Sequence, residues 1–484
     1  MEINVENLDL KSEAEKNTSD DKTVDLDKMS RKIILKNLLI LSFACMLQFS
    51  AFNSFANLQS SLNKEEGLGT TGLALLYSVM VLTSLFIAPI SMDRISTKWI
   101  MVWSMCTYII YTATGFNPTW YTVIPASVII GIGAAHFWLA MPAYVIDIAK
   151  SYAQVTDTVD QDRVTFFFGI VYAAIYTSNI WGNLFSSMVF RQERTNETLE
   201  SKDVHCGPSY CPYRKYNISA IVPPSQTQVY TYTGFCSGIT AFAILLIIVF
   251  LTNISTDSGK SQSACKQSRM VATHIFRSRD QHLLFCSSIF SGLANGFVVG
   301  DFTSAYISCP YGIQNVGLGM ITLGVVQSIF SVVFGKLNQY IGHIAIFTFG
   351  SMTHASFYIT LLLWHPLPNQ SYIVHVLAAI AGISGAANEP VITALHNLYF
   401  VENKDIALSS FRLLNSIGWA ISFAYSNWLC PNVKMYILIG GLLISLATLI
   451  YLDVKHRQTR RRSEKQTIME KDTVTEDLIS NQML

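Results

Sequence analysis

Ile33-Ile-Leu-Lys36-Asn37-Leu-Leu-Ile-Leu-Ser-Phe-Ala-Cys-Met-Leu-Gln48-Phe-Ser-Ala-Phe-Asn53-Ser-Phe-Ala-Asn57 decides the fold class. It holds one charged side chain, Lys36 at its entry. At about 1.5 Å of rise per helical residue, such a run is long enough to cross roughly 30 Å of hydrocarbon. Comparable apolar stretches recur at 71–92, 98–117, 121–146, 164–190 and 230–252, then at 283–307, 314–336, 342–364, 371–396, 407–429 and 433–452. The sequence therefore predicts an all-α polytopic membrane protein with twelve transmembrane helices. Composition agrees: of 484 residues 51% are hydrophobic and 13% charged, against roughly 25% charged in a soluble domain, and the mean hydropathy is +0.35. That excludes an ordinary soluble enzyme. With 33 basic and 32 acidic residues and no basic face along a soluble domain, nucleic acid is not an expected partner.

Lysine and arginine positions orient such a chain, because cytoplasmic flanks carry the excess. With both termini inside, the inner flanks hold 22 basic residues and the outer loops seven. Residues 1–32 form an acidic tail, expected to be disordered, and 453–484 a second cytoplasmic tail. The plasma membrane is favoured over endosomes. The one long outer loop, 191–229, contains Cys206 and Cys211, which suggests a disulfide, and the sequons at Asn196 and Asn217. The other seven cysteines are scattered singly and read as ordinary buried thiols. Four metal ligands are not visible, and neither a metal nor a cofactor is expected.

Weak echoes link the two sides of the chain. Phe49–Phe55 resembles Phe290–Phe297, Gly133-Ala-Ala-His136 resembles Gly385-Ala-Ala-Asn388, and Ser178-Asn179 resembles Ser426-Asn427, at offsets of about 241, 252 and 248. Duplication of a six-helix unit follows: 33–252 as the first half, 253–282 as a cytoplasmic linker and 283–452 as the second half. The loop Pro89-Ile-Ser-Met-Asp93-Arg94-Ile-Ser-Thr-Lys98 resembles a charged cytoplasmic loop of the major facilitator superfamily, with Asp93, Arg94 and Lys98 in register. The resemblance implies a gating role for these three. Pro89 and Ser96 replace glycines there, and the matching loop Gly335–His343 has Gln339 for the acid. Two tight cytoplasmic turns with basic ends are the other reading.

The stretch Asn37–Phe52, continued by Asn57-Leu-Gln-Ser-Ser-Leu-Asn63 and Gly67-Leu-Gly69, resembles the signature of the uncoordinated-93 family, and Asn388-Glu389-Pro390 extends the likeness. The similarity covers roughly 33–452 and looks nearest the A-type branch. It implies a twelve-helix, major-facilitator-like fold in two six-helix halves, and a protein that regulates or escorts a membrane partner such as a two-pore potassium channel. No motif of the family fixes a channel-contact residue.

Ionisable residues at membrane depth cost about 2.5–3.5 kcal/mol on insertion scales and are functional candidates by default. Glu389 beside Pro390, Asp301 and His136 qualify, and Asn53, Asn295 and Asn388 could join them in lining a cavity. In a transporter, Glu389 or Asp301 would couple a proton to movement of a small solute or ion. In the structural reading, a buried carboxyl simply donates one hydrogen bond to a neighbouring helix. Gly292, Gly296 and Gly300 form a ladder of small residues suited to close helix contact, expected within the chain. Arg412 is expected to snorkel to inner headgroups, and Arg460–Arg462 to anchor at anionic lipid. There is no catalytic constellation, phosphate loop or potassium filter. A regulatory or trafficking subunit is the first reading and an ion-coupled transporter the second.

Overall fold

The computed structural model describes residues 30–63, 67–88, 95–156, 160–191, 206–211, 224–253, 264–367, 369–400 and 404–482. The acidic tail up to residue 29, Asp93, Arg94, Asn196 and Asn217 lie outside them. The long helices are α1 Arg31–Leu62, α2 Leu68–Phe86, α3 Thr97–Ala113, α4 Trp120–Thr156, α5 Asp160–Val189 and α6 Gln226–Phe250. A connecting helix, Ala264–Arg277, leads to α7, which is α-helical over Arg279–Phe297, a π-helix over Val298–Ser308 and closes at Cys309–Tyr311. Then follow α8 Gln314–Ile341, α9 His343–Leu363, α10 Ser371–Tyr399, α11 Lys404–Ala424 and α12 Pro431–Gln482. Ten of these are long and apolar enough to span a membrane. The other two are α3, which is shorter, and α5, whose run includes Asn179, Asn183 and several serines. The protein is thus a multi-pass membrane protein.

Local chemistry sets the ends. Ser225 and Gln228 form a reciprocal capping box that starts α6, satisfying two backbone donors that would otherwise be orphaned. Gly67 enters α2 in the left-handed region at φ +70°, where a side chain would be strained. The connecting helix buries Val271 and Ile275 against Val81 and Leu85 of α2 and Ile406, Leu413 and Ile417 of α11. It therefore ties α2 to α11 at the end of the bundle opposite the 206–211 loop.

Helix packing repeats itself. In the first six helices the extensive pairs are α1 with α5 and α6, α4 with α2 and α3, and α3 with α6; six helices later they are α7 with α11 and α12, α10 with α8 and α9, and α9 with α12. Between these groups the contacts run through α5 with α8, α2 with α11, and α1 with the π-helical part of α7.

The cysteines correct the expected pairing. Cys206 is bridged to Cys309 at the end of α7, and Cys211 to Cys430 at the entry of α12, with Cα separations of 5.7 and 4.4 Å. Neither is bridged to the other, and Cys309 and Cys430 are not free thiols. The described segment 206–211 between α5 and α6 thereby lies over the ends of the later helices. There Gly207, at φ +84°, packs so close to Pro366 that an added Cβ would meet its Cδ at 2.7 Å. Spacing misled because residues close in sequence need not share a bridge; connectivity is not deducible from sequence. Proteolytic mapping without reductant is expected to recover Cys206 joined to Cys309 and Cys211 joined to Cys430. A Cys206–Cys211 peptide would overturn this topology.

Candidate functional site

Midway along the bundle a polar junction joins the two groups of helices. Arg412 lies two turns into α11 and turns inward rather than toward headgroups, correcting the snorkelling expectation. Its Nη2 donates to the Tyr172 hydroxyl of α5 at 2.5 Å, its Nη1 reaches the Trp138 carbonyl of α4 at 3.5 Å, and its Cζ sits 5.7 Å from the Trp138 ring. Hydrogen bonds and a cation–π contact inside the protein replace the water a snorkelling guanidinium would seek. Glu389 of α10 faces Arg412 and the Asn295 side chain of α7, and Tyr176 of α5 lies within the field of both charges. The junction therefore brings a carboxyl and a guanidinium to one level of the bundle, with aromatic rings and an amide around them. Its members are half-buried.

Of the six cavity candidates, Glu389 and Asn295 come together; the other four go elsewhere. Asn53 donates to the Ser178 hydroxyl of α5 at 3.2 Å, within the first helix group. His136 holds the Ile132 carbonyl through Nδ1 at 2.8 Å and stands edge-on to Trp103 of α3. Asn388 donates to His354 Nδ1 of α9 at 2.8 Å. These contacts turn the last two toward a neighbour in their own group. Lys98, the one described member of the charged loop triad, is buried with its Nζ 5.4 Å from the Trp99 ring.

Asp301 forms a second centre. The π-helical stretch of α7 directs its carboxylate at Lys434 of α12, 2.5 Å away, and both side chains are almost fully buried. Ser426 donates to the same carboxylate oxygen at 3.3 Å, and Lys434 also donates to the Ser426 carbonyl at 3.2 Å. The next residue, Asn427, reaches across to α2. There the Thr70 hydroxyl donates to its Oδ1 at 2.5 Å, and its Nδ2 donates to the Thr71 hydroxyl at 2.9 Å and the Gly67 carbonyl at 3.3 Å. From the same π-helix, Thr303 meets Ser60 of α1 at 3.3 Å. The ion pair thus fixes the two segments that close the disulfide-bearing end of the bundle. π-helical stretches often mark functional positions.

The small-residue ladder of α7 faces α11. A Cβ on Gly292 would lie 2.0 Å from the Asn415 carbonyl, and one on Gly296 would lie 2.5 Å from Ser422. Gly182 of α5 presses on the Ser50 carbonyl of α1 in the same manner. These approaches bring the α7 and α11 backbones close enough to hold Asn295 and Arg412 at one level.

The fold resembles solved transporters of the major facilitator superfamily. The nucleoside transporter NupG aligns with a TM-score of 0.59 at 12% identity, covering 85% of this chain and 99% of that one. The xylose transporter XylE from E. coli gives 0.57 at 14%, covering 86% and 97%. Among named relatives, Protein unc-93 homolog A of Xenopus laevis is 34% identical over 447 residues, 90% of this chain and 97% of its own length. The Homo sapiens protein of the same name is 35% identical over 418 residues, 85% of this chain and 92% of its own. The Caenorhabditis elegans relative unc-93, whose name provisionally describes a potassium channel regulatory protein, is 27% identical over 89% of this chain and 62% of its own. The UNC-93 family description, ion channel regulatory protein, matches residues 60–451, and the chain belongs to that family.

Proposed function

We propose that this chain is a non-catalytic regulatory or trafficking subunit of an ion channel, with a two-pore potassium channel as the partner of first choice. The observation that carries the reading is the family match over 60–451, which runs from the end of α1 into α12. Twelve spans in two six-helix halves, 33–252 and 283–452 joined by 253–282, are part of the proposal. The helix pairs that recur six helices later support them. Both termini are placed in the cytoplasm of a plasma-membrane protein, supported by the distribution of Lys and Arg and by disulfides at the opposite end.

Arg412 gives the regulatory reading a mechanism. It is one mid-level tie between α11 and the helices α4 and α5, so its loss would loosen the two groups at that level while α5 with α8 and α2 with α11 stay packed. Such a two-state element is what a regulatory subunit needs if its conformation is to bias a partner. Co-expression with two-pore potassium channels is expected to change the whole-cell current severalfold, and Arg412→Met to remove at least half of that change at equal surface density. Unaltered currents across those channels would overturn the reading.

A second reading, ion-coupled transport of a small solute, is favoured by the Glu389–Asn295–Arg412 cluster lying where the two helix groups meet. It is supported if sealed vesicles accumulate solute under an acid gradient and Glu389→Gln abolishes the pH dependence. Uptake unchanged in Glu389→Gln between pH 5 and 8 removes that role.

A further inference from the structure

We propose that the outward face of the connecting helix Ala264–Arg277 is the docking surface for this chain's own acidic leading segment, residues 2–10. The inward face is already occupied. Val271 and Ile275 are 7% and 5% exposed and pack on Val81 and Leu85 of α2 and on Ile406, Leu413 and Ile417 of α11. With 3.6 residues per turn, the opposite side carries positions 266, 269, 273, 276 and 277. The described side chains among them, Thr273, Phe276 and Arg277, are all exposed, Phe276 at 77%.

A single exposed phenylalanine is ordinary, but this one stands among unmatched cations. Residues 258–279 include five bases, Lys260, Lys266, Arg269, Arg277 and Arg279, and no acid. Arg277 and Arg279 are exposed, and neither forms an ion pair among the described residues. Several other cations at this end of the bundle are engaged. Arg31 and Arg163 stand over the Tyr152 ring, Lys455 meets Asp280 at 2.5 Å, and Arg457 meets Asp453 at 2.7 Å.

The chemistry of the face selects its occupant. An amphipathic helix lying on lipid turns its apolar face to the acyl chains. Here that face is spent on α2 and α11, and the side left over is cationic with one aromatic ring. Its complement is a segment that mixes acids with apolar side chains. Residues 2–10, Glu2-Ile3-Asn-Val5-Glu6-Asn-Leu8-Asp9-Leu10, hold three acids, four apolar residues and no base. The reach suffices as well. α1 enters at the same end of the bundle, where Asn37 Oδ1 accepts from the Thr252 N–H at 3.3 Å and from its hydroxyl at 3.1 Å, just past the end of α6. Twenty residues separate Leu10 from Arg31, a length that extends up to roughly 70 Å. Helix axes pack about 8–10 Å apart, so a twelve-helix bundle is roughly 50 Å across. Docked there, the segment covers the helix that ties α2 to α11 and adds a charge-dependent contact at that junction.

The test uses the full-length chain, one molecule per nanodisc of neutral phosphatidylcholine, with benzoylphenylalanine in place of Phe276. Irradiation is expected to join position 276 to the peptide of residues 1–11. Raising the salt from about 0.1 to about 1 M should lower that product at least threefold, because the screening length falls from about 10 to about 3 Å. Combining Glu2→Gln, Glu6→Gln and Asp9→Asn, which leaves α1–α12 untouched, is expected to lower it at least fivefold. Arg277→Glu with Arg279→Glu should do the same while the protein elutes as wild type, and adding Glu2→Arg, Glu6→Arg and Asp9→Arg to that pair should restore the product. Absence of the 1–11 product, or a product indifferent to these charges, overturns the proposal. So does capture of residues 455–465 in its place. Transfer of the label to phosphatidylserine, at the expense of residues 1–11 when that lipid is added, also overturns it, because the membrane would then be the occupant.

Discussion

Lys434→Met is expected to destabilise the solubilised protein by about 3–5 kcal/mol, the range for removing one partner of a buried ion pair. The pair's own net contribution is smaller than that figure. Joining two charges in a low-dielectric interior largely repays their desolvation, whereas deleting one leaves the other uncompensated. Asp301 would then keep only the Ser426 hydroxyl at 3.3 Å, and its second oxygen already lacks a partner. The damage should spread along a defined path. Ser426 would lose the Lys434 contacts, Asn427 its fixed position, and α2 its clasp through Thr70, Thr71 and Gly67. Two readouts test this. Heating followed by size-exclusion chromatography should show a much earlier loss of the folded peak, and a cysteine placed at Thr71 should react faster with an impermeant thiol reagent. The double variant Asp301→Asn/Lys434→Met removes both charges and should recover most of the stability. A single variant as heat-resistant as wild type would mean that the pair holds nothing in place.

The parts legible in sequence were those governed by the solvent. Apolar runs had to become helices because an unsatisfied backbone cannot lie in lipid, and the expected segments fall on helices to within a few residues at most ends. Exceptions have physical reasons. α4 continues to Thr156 and α12 to Gln482, well past their apolar runs, because a helix need not stop where the hydrocarbon does. Lys434, the fourth residue of α12, lies at the edge of the expected 433–452 span and gives no sign in sequence that Asp301 on another helix waits for it. Cys309 and Cys430 look like solitary thiols for the same reason. Arg412 was misread because position along one helix says nothing about which neighbour it faces. His136 and Asn388 occupy echoed positions, and each turns to the preceding helix of its own group, Trp103 in one case and His354 in the other. The echo thus carried packing more than chemistry. Glu389 and Asn295 read from sequence as separate candidates; that they face each other is decided by how α10 packs on α7 and is not visible in either run alone.

Gly418→Val should fail by a different route, and its failure joins packing to function. A Cβ at this position would lie 2.2 Å from the Ile289 carbonyl and 2.9 Å from the Gly292 Cα. Both contacts are with backbone, so no side chain can swing aside, and α7 and α11 must separate. Overpacking of this kind typically costs about 1–3 kcal/mol and occasionally more. Here the geometric effect reaches further than the energy. α11 carries Arg412 to Trp138 and Tyr172, and its other face stacks Trp419 and Phe423 on Tyr77 of α2, with ring centroids 5.0 and 5.9 Å apart. Moving α11 away from α7 therefore disturbs the mid-level junction and the α2 contact together. Gly418→Val is expected to lose the channel response even in molecules that reach the cell surface, and to melt earlier. Gly238→Val is the control: its Cβ would meet nothing within 4 Å, so it should leave both properties unchanged apart from a small propensity term. Full activity in Gly418→Val would show that the two backbones need not touch. Equal damage from Gly238→Val would show that the loss reflects added bulk anywhere in the membrane region rather than the separation of α7 from α11.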